Sequence, residues 1–294
     1  MKTPAVLFMI FNRPELTARS FAAIRRARPA RLYIAADGPR KAGVNDDEAR
    51  CAQARAYTDA VDWPCEVQRL YQTTNRGGRY GPEAAIDWFF EHETEGIILE
   101  DDCLAGDDFF PYCAALLDQH RDNEAVMLIS GDRSFGYAYD TGPSYSYSRY
   151  PLIWGWASWR RAWQHNDRAR FAAADWTREL EAAGLPAEFA RRRGVHCRDV
   201  AAGRLQTWDF VWSYAVFCAR GLACIPALNL VTNIGFGGEG TRLRDPSLPR
   251  ANVPSQVMNF PLVHPHRLAA DARTDRLISL YVHGVKPQRP REIS

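Results

Sequence analysis

The chain lacks the features that mark several broad protein classes. No apolar run approaches the ~20 residues needed to span a bilayer. The seven cysteines are odd in number and form no Cys-x-x-Cys pair, and several sit in apolar runs where a free thiol packs as a small hydrophobe. A reducing, cytoplasmic setting is the simplest expectation, with at most a peripheral membrane contact. Excess charge is also missing: the net charge is +2 over 294 residues, so no global field marks a nucleic acid as partner. There is no internal repeat and no linker. At this length the chain can bury most of its apolar surface without disulfides or metal staples. Met1 to Phe11 carries one basic residue and only a short apolar run before Asn12, which reads as a first buried strand rather than a signal segment.

What the chain does have is one awkward stretch. Ile97-Ile98-Leu99 is of strand length and apolar, yet it runs straight into Glu100-Asp101-Asp102. Three adjacent carboxylates at the end of a buried strand require neutralisation. A polar turn capping the next helix is one reading. A hard divalent cation, Mg²⁺ or Mn²⁺, is the other, and such ions usually share their coordination shell with substrate phosphates.

The first half alternates in a regular way. Strands are expected at Ala5 to Phe11, Arg31 to Ala36, Cys65 to Tyr71 and Gly96 to Leu99, and helices at Glu15 to Ala27, Asp46 to Ala60 and Pro82 to His92. That order implies an α/β fold with a mostly parallel sheet flanked by helices. A helix from Asp107 to Gln119 and a strand from Ala125 to Ser130 follow. Gly131 to Tyr150 is aromatic and aperiodic, and reads either as a lid or as a packed surface excursion. The second half is predicted to be mainly helical, with helices at Ile153 to Gln164, Arg170 to Ala183, Ala187 to Ala202, Thr207 to Ala219 and Thr274 to Val282. Leu222 to Thr232 is a strand broken by Pro226, and Asn233 to Arg242 is a Gly-rich turn cluster. One continuous domain is expected, with the regular alternation in 1–130 and the mainly helical part in 131–294.

In open α/β sheets ligands bind beyond the carboxyl ends of the strands. Four successive strand ends here carry Asn12-Arg13, Asp37, Asn75-Arg76-Gly77 and the acid triplet. Each has a plain alternative as a turn former or a solvated charge. Jointly they argue for a nucleotide pocket. The two common phosphate-cradling loops are absent: no Gly-x-Gly-x-x-Gly follows the first strand, and no Gly-x-x-x-x-Gly-Lys-Ser/Thr occurs. The phosphates must then be neutralised by metal and basic side chains.

On these residues the chain resembles the nucleotide-sugar glycosyltransferases of the GT-A fold, a Rossmann-like sheet with an acceptor-side second half. More narrowly, Leu99-Glu100-Asp101-Asp102-Cys103, Asp107-Asp108-Phe109-Phe110-x-Tyr112 and Trp208-Asp209 are similar to segments of the N-acetylglucosaminyltransferase I family, glycosyltransferase family 13. The resemblance implies a metal on Asp102, donor contacts from Glu100 and Asp101, a base contact from Asp37 that favours uracil, Arg13 near the nucleotide, and Asp209 as catalytic base. It implies Mn²⁺ or Mg²⁺, a UDP-sugar donor, and a glycan, lipid-linked or protein acceptor. The match after Asp209 is imperfect, because Phe210 stands where the animal family has an acid. Asp209 as a helix cap therefore remains open, with Glu239 as reserve base. His264 and His266 are either a late metal ligand or surface residues. Trp154 or Trp156 is a candidate floor for the sugar, and His196 is structural. The alternatives are a sugar-phosphate nucleotidyltransferase of related fold, and a non-catalytic carbohydrate-binding or membrane-acting protein.

Overall fold

The computed structural model describes residues 2–40, 46–135, 142–237 and 245–285. Its first elements follow the alternation expected: β1 (Val6–Ile10), α1 (Pro14–Ala27), β2 (Arg31–Ala36), α2 (Asp47–Tyr57), β3 (Glu66–Tyr71), α3 (Gly77–His92) and β4 (Glu95–Glu100). Next come β5 (Cys103–Ala105), α4 (Phe109–Gln119), β6 (Val126–Ser130), β7 (Tyr145–Ser148), β8 (Trp156–Trp159) and α5 (Arg160–Trp163). The chain continues through α6 (Arg168–Ala173), α7 (Trp176–Ala182), α8 (Ala187–Ala201), α9 (Asp209–Cys218), β9 (Leu222–Pro226), β10 (Val231–Asn233) and α10 (Ala272–Tyr281).

One eight-stranded sheet runs in the order β3-β2-β1-β4-β8-β6-β9-β7, and a two-stranded ribbon pairs β10 with β5. Only β8 and β7 oppose the common direction, so the sheet is mostly parallel. Every residue of β1 is buried, as a strand covered on both faces requires. Its side chains divide by the period of two. Val6, Phe8 and Ile10 join an apolar cluster with Phe21 and Ile24 of α1 and Leu116 of α4, while Leu7 and Met9 join another with Phe89 of α3 and Trp212 of α9. α1 begins at Pro14, whose missing N–H costs nothing there, and ends at Arg28 in the left-handed region.

The second half departs from expectation in informative ways. Ile153 to Gln164 is not one helix. Gly155 turns the chain at φ +64°, and Trp156–Trp159 enters the sheet antiparallel between β4 and β6, leaving a short helix behind it. The Gly131 to Tyr150 stretch is likewise part sheet: Tyr145–Ser148 pairs with β9, and Tyr145, Tyr147 and Tyr150 are buried. Its residues 136–141 lie outside the described set. The expected helix from Arg170 to Ala183 is two short ones, and Leu222 to Thr232 divides into β9 and β10.

Beneath β7 lies a buried polar knot. His120 Nε2 is 3.2 Å from the Tyr145 hydroxyl and 3.4 Å from that of Tyr147, and Tyr145 also meets His264 Nδ1 at 3.1 Å. Burial, with His264 and Arg161 nearby, pushes His120 down to about 4. The unfolded chain therefore takes up a proton near pH 6.5 that the native chain refuses, and stability falls as pH drops from about 6.5 towards 4. The melting temperature of wild type should fall relative to that of His120→Phe as pH drops through this window, because the variant lacks the titration. Parallel pH profiles would contradict this.

Candidate active site

The strand ends converge at the carboxyl edge of β1 and β4, which pair directly, Met9 opposite Glu100. Arg13, buried at the start of α1, closes a fork on Asp101: Nη2 donates to Oδ1 and Nε donates to Oδ2 at 3.2 Å. Its Nη1 donates to Asp102 Oδ2 at 2.9 Å. Burial pulls Arg13 down, but Asp101 and Asp102 outweigh it and hold the guanidinium well above its ordinary value. Asp101 also accepts from the Phe11 N–H, and its carbonyl accepts from the Ser20 hydroxyl at 2.9 Å. Asp101 is thus committed to the interior, whereas Asp102 keeps part of its side chain accessible. Glu100 is half-buried and its carboxylate has no hydrogen bond among the described residues. Burial and the Asp102 charge push it up to about 8.

On the other side of the edge, Asp37 acts as a clamp. Its carboxylate accepts from the N–H groups of Gly38, Arg76 and Gly77 and from Asn75 Nδ2, at 2.8 to 3.0 Å. These bonds occupy the four or so acceptor positions a carboxylate has. They also supply the missing acceptors for the first turn of α3, which is why that helix begins at Gly77 and not at Pro82. Asn12 is held by Asp47 at 2.6 Å. Arg76 is exposed, and its guanidinium makes no hydrogen bond among the described residues.

The ribbon of β5 and β10 brings a distant segment onto the triplet. Asn233 pairs with Cys103, and the Ile234 N–H donates to the Asp102 carbonyl at 2.8 Å. A Cβ on Gly235 would stand 2.5 Å from Asp102 Oδ2. Only glycine leaves that side of the carboxylate open. Asp209, first residue of α9, accepts from the Thr207 hydroxyl and lies near enough to Glu100 for their charges to interact. Glu239 lies outside the described residues.

No family model matches the chain, and no curated protein matches it. Solved structures similar to it include a mannosyltransferase from Pyrobaculum calidifontis in complex with GDP-Man and Mn²⁺, at 11% identity over 74% of this chain and 70% of that one, TM-score 0.40. Mouse xyloside xylosyltransferase 1 is 9% identical over 72% of this chain and 80% of its own, TM-score 0.36. The 4-diphosphocytidyl-2C-methyl-D-erythritol synthase from Anaerococcus prevotii is 7% identical over 59% and 78%, TM-score 0.32. At such scores the likeness carries no functional weight, and the site has to be understood from its own geometry.

Among the described residues no group of three His, Cys, Asp or Glu side chains is arranged to hold a metal ion. The donor set does fit a shared site. The one partly accessible carboxylate, Asp102, with room kept by Gly235, suits a hard cation that takes its other ligands from phosphate and water. His264 does not join it. That residue is bound to Tyr145 on β7, four strands from β4 and so about 19 Å across the sheet at ~4.8 Å per strand. His266 is exposed. Of the two tryptophans considered as a sugar floor, Trp156 is fully buried and stacked with Trp208 at 5.8 Å, so it belongs to the core. Trp154 is half-buried, edge-on to Phe236, with Arg250 over its face at 4.1 Å. Arg250 in turn reaches Asp132, buried at the end of β6, at 3.1 Å. The sequence offered no signal for that pair, whose members are 118 residues apart.

Proposed function

We propose that the chain is a metal-dependent glycosyltransferase of the GT-A type. It moves a sugar from a nucleoside-diphosphate donor, UDP favoured, to a hydroxyl of a glycan, lipid-linked or protein acceptor. The observation that carries this is Asp102 at the end of β4, braced by Arg13 on one side and kept open by Gly235 on the other, with the Asp209 charge acting on Glu100 beside it. Residues 1–130 form the donor half and 131–294 the acceptor half of one domain.

In this reading Asp102 would hold Mn²⁺ or Mg²⁺, whose remaining ligands would come from the donor diphosphate and water. When bound, the cation supplies charge compensation for the leaving diphosphate. Arg13 and Asp101 fix the position of Asp102. Asp37 and Asn75 hold the turns that frame the base, and Asn12 and Asp47 hold the first loop. Arg76, exposed at the start of α3, is the basic side chain available to a phosphate. Glu100 is available to the hydroxyls of the donor. Asp209 takes the proton from the acceptor hydroxyl as its oxygen attacks the anomeric carbon, while the bond from that carbon to the diphosphate oxygen breaks. With the base opposite the leaving group, the anomeric centre inverts.

Thermal shift tests this. Mn²⁺ alone should move the melting temperature little, since the protein contributes one clear ligand. UDP with Mn²⁺ should stabilise strongly, about 2.7 kcal/mol at a hundredfold excess over Kd. No response to any nucleoside diphosphate would end the proposal. Preference for a nucleoside triphosphate with a sugar phosphate would turn it into the nucleotidyltransferase reading.

A further inference from the structure

The helical half contains an arginine that the donor site does not use. Arg193 of α8 lies over the ring of Phe210 at 4.4 Å, with Phe189 at 5.4 Å and Phe217 at 5.8 Å. Its guanidinium donates no hydrogen bond and forms no ion pair among the described residues. Protein surrounds it closely enough for burial to pull its pKa down, yet the residue retains accessible surface.

The surroundings are short of acceptors. The His283 ring packs against Tyr150 at 5.3 Å and Phe189 at 5.0 Å, and its buried Nε2 has no hydrogen-bond partner. His196 lies against Phe210 at 5.4 Å. The carboxylate that acts on Arg193 is Asp209, next in the chain to Phe210. Cation–π contacts return part of the cost of desolvating a guanidinium, but they satisfy none of its five N–H donors. Buried arginines ordinarily meet a carboxylate in a fork, as Arg13 does here.

We propose that Arg193 is the floor of an oxyanion site that receives a carboxylate or phosphate of the acceptor beside Asp209. This deepens the transferase reading and rests on it, because that reading makes the neighbourhood of Asp209 the acceptor side. The acceptor class it names is acidic: a glycan bearing a uronate-type carboxylate, or a phosphorylated carrier. The bound oxyanion supplies the acceptors that the guanidinium lacks, and orients the attacking hydroxyl towards Asp209.

Melting temperatures of wild type, Arg193→Met and Arg193→Lys, in sodium phosphate, sodium glucuronate and sodium chloride at matched ionic strength, test it. The wild type should melt about 2 °C or more higher in phosphate or glucuronate than in chloride. Arg193→Lys should keep a smaller rise. Arg193→Met should lose the rise and, freed of an unpaired charge, melt no lower than wild type in chloride. A rise with phosphate alone assigns a phosphorylated acceptor, and one with glucuronate alone an acidic sugar. The inference is overturned if the rise is absent, if Arg193→Met keeps it, or if that variant melts well below wild type in chloride, which would make the guanidinium a packing element. The wild-type response to UDP with Mn²⁺ examines the donor reading separately, so the two failures are told apart.

Discussion

Arg13→Met should cost about 3–5 kcal/mol of folding stability, the loss expected when one partner of a buried ion pair is removed. The guanidinium is the counter-charge for two carboxylates, forked on Asp101 and single on Asp102. Asp101 is buried, and burial already pushes its carboxyl up against the pull of Arg13. Without Arg13 the chain has either to keep an uncompensated charge inside or to protonate Asp101. The double variant Arg13→Met, Asp101→Leu should recover much of the loss, because an apolar pair of similar volume carries no desolvation penalty. Urea denaturation of the three proteins measures both effects. A loss below about 1 kcal/mol in the single variant would mean that the pair is solvated, and a double variant no better than the single would deny the coupling. The outcome bears on function as well. If Asp101 serves to hold Arg13, two of the three acids in the triplet remain for ligands.

The first half of the fold was legible because its signals are local. A buried strand, a turn and an amphipathic helix each fit within about fifteen residues, and β1 to β4 follow that pattern element by element. Trp154, Trp156, Trp159 and Trp163 have spacings that suit a helix, yet β8 forms because β4 and β6 offer two unpaired edges, one of them contributed by Ile97 and Ile98. Nothing within the tryptophan stretch records those edges. Tyr145-Ser146-Tyr147-Ser148 does alternate with the period of a strand, and was obscured by the glycine and proline before it. The triplet, Arg13 and Asp37 stood out as polar groups at strand ends. Their division of labour did not, since the fork between Arg13 and Asp101 spans 88 residues. Arg193 illustrates the same limit. It stands in a run of three arginines that reads as a solvated face, and only the packing of Phe189, Phe210 and Phe217 around it separates it from its neighbours.

Asp209→Asn should lower sugar transfer by about 10²- to 10⁴-fold, the usual contribution of a positioned general base, while UDP binding in the presence of Mn²⁺ stays at the wild-type level. The substitution is chosen because asparagine preserves everything except proton acceptance. Its side-chain oxygen still takes the hydrogen bond from Thr207, and the side chain remains at the start of α9. Loss of the negative charge from that helix end costs only about 0.3–1 kcal/mol. A residue that merely capped the helix would therefore leave turnover nearly intact, with a small drop in melting temperature. A base would leave the melting temperature nearly intact and remove turnover. Release of UDP from the donor that gives the best signal in a hydrolysis screen, measured with and without acceptor, separates the two. If acceptor-dependent turnover survives in Asp209→Asn, the role passes to Glu239 in the Gly-rich segment that begins beside Asp102. The same measurement on Glu239→Gln then decides between them, because one proton has to leave the attacking hydroxyl and only one carboxylate needs to receive it.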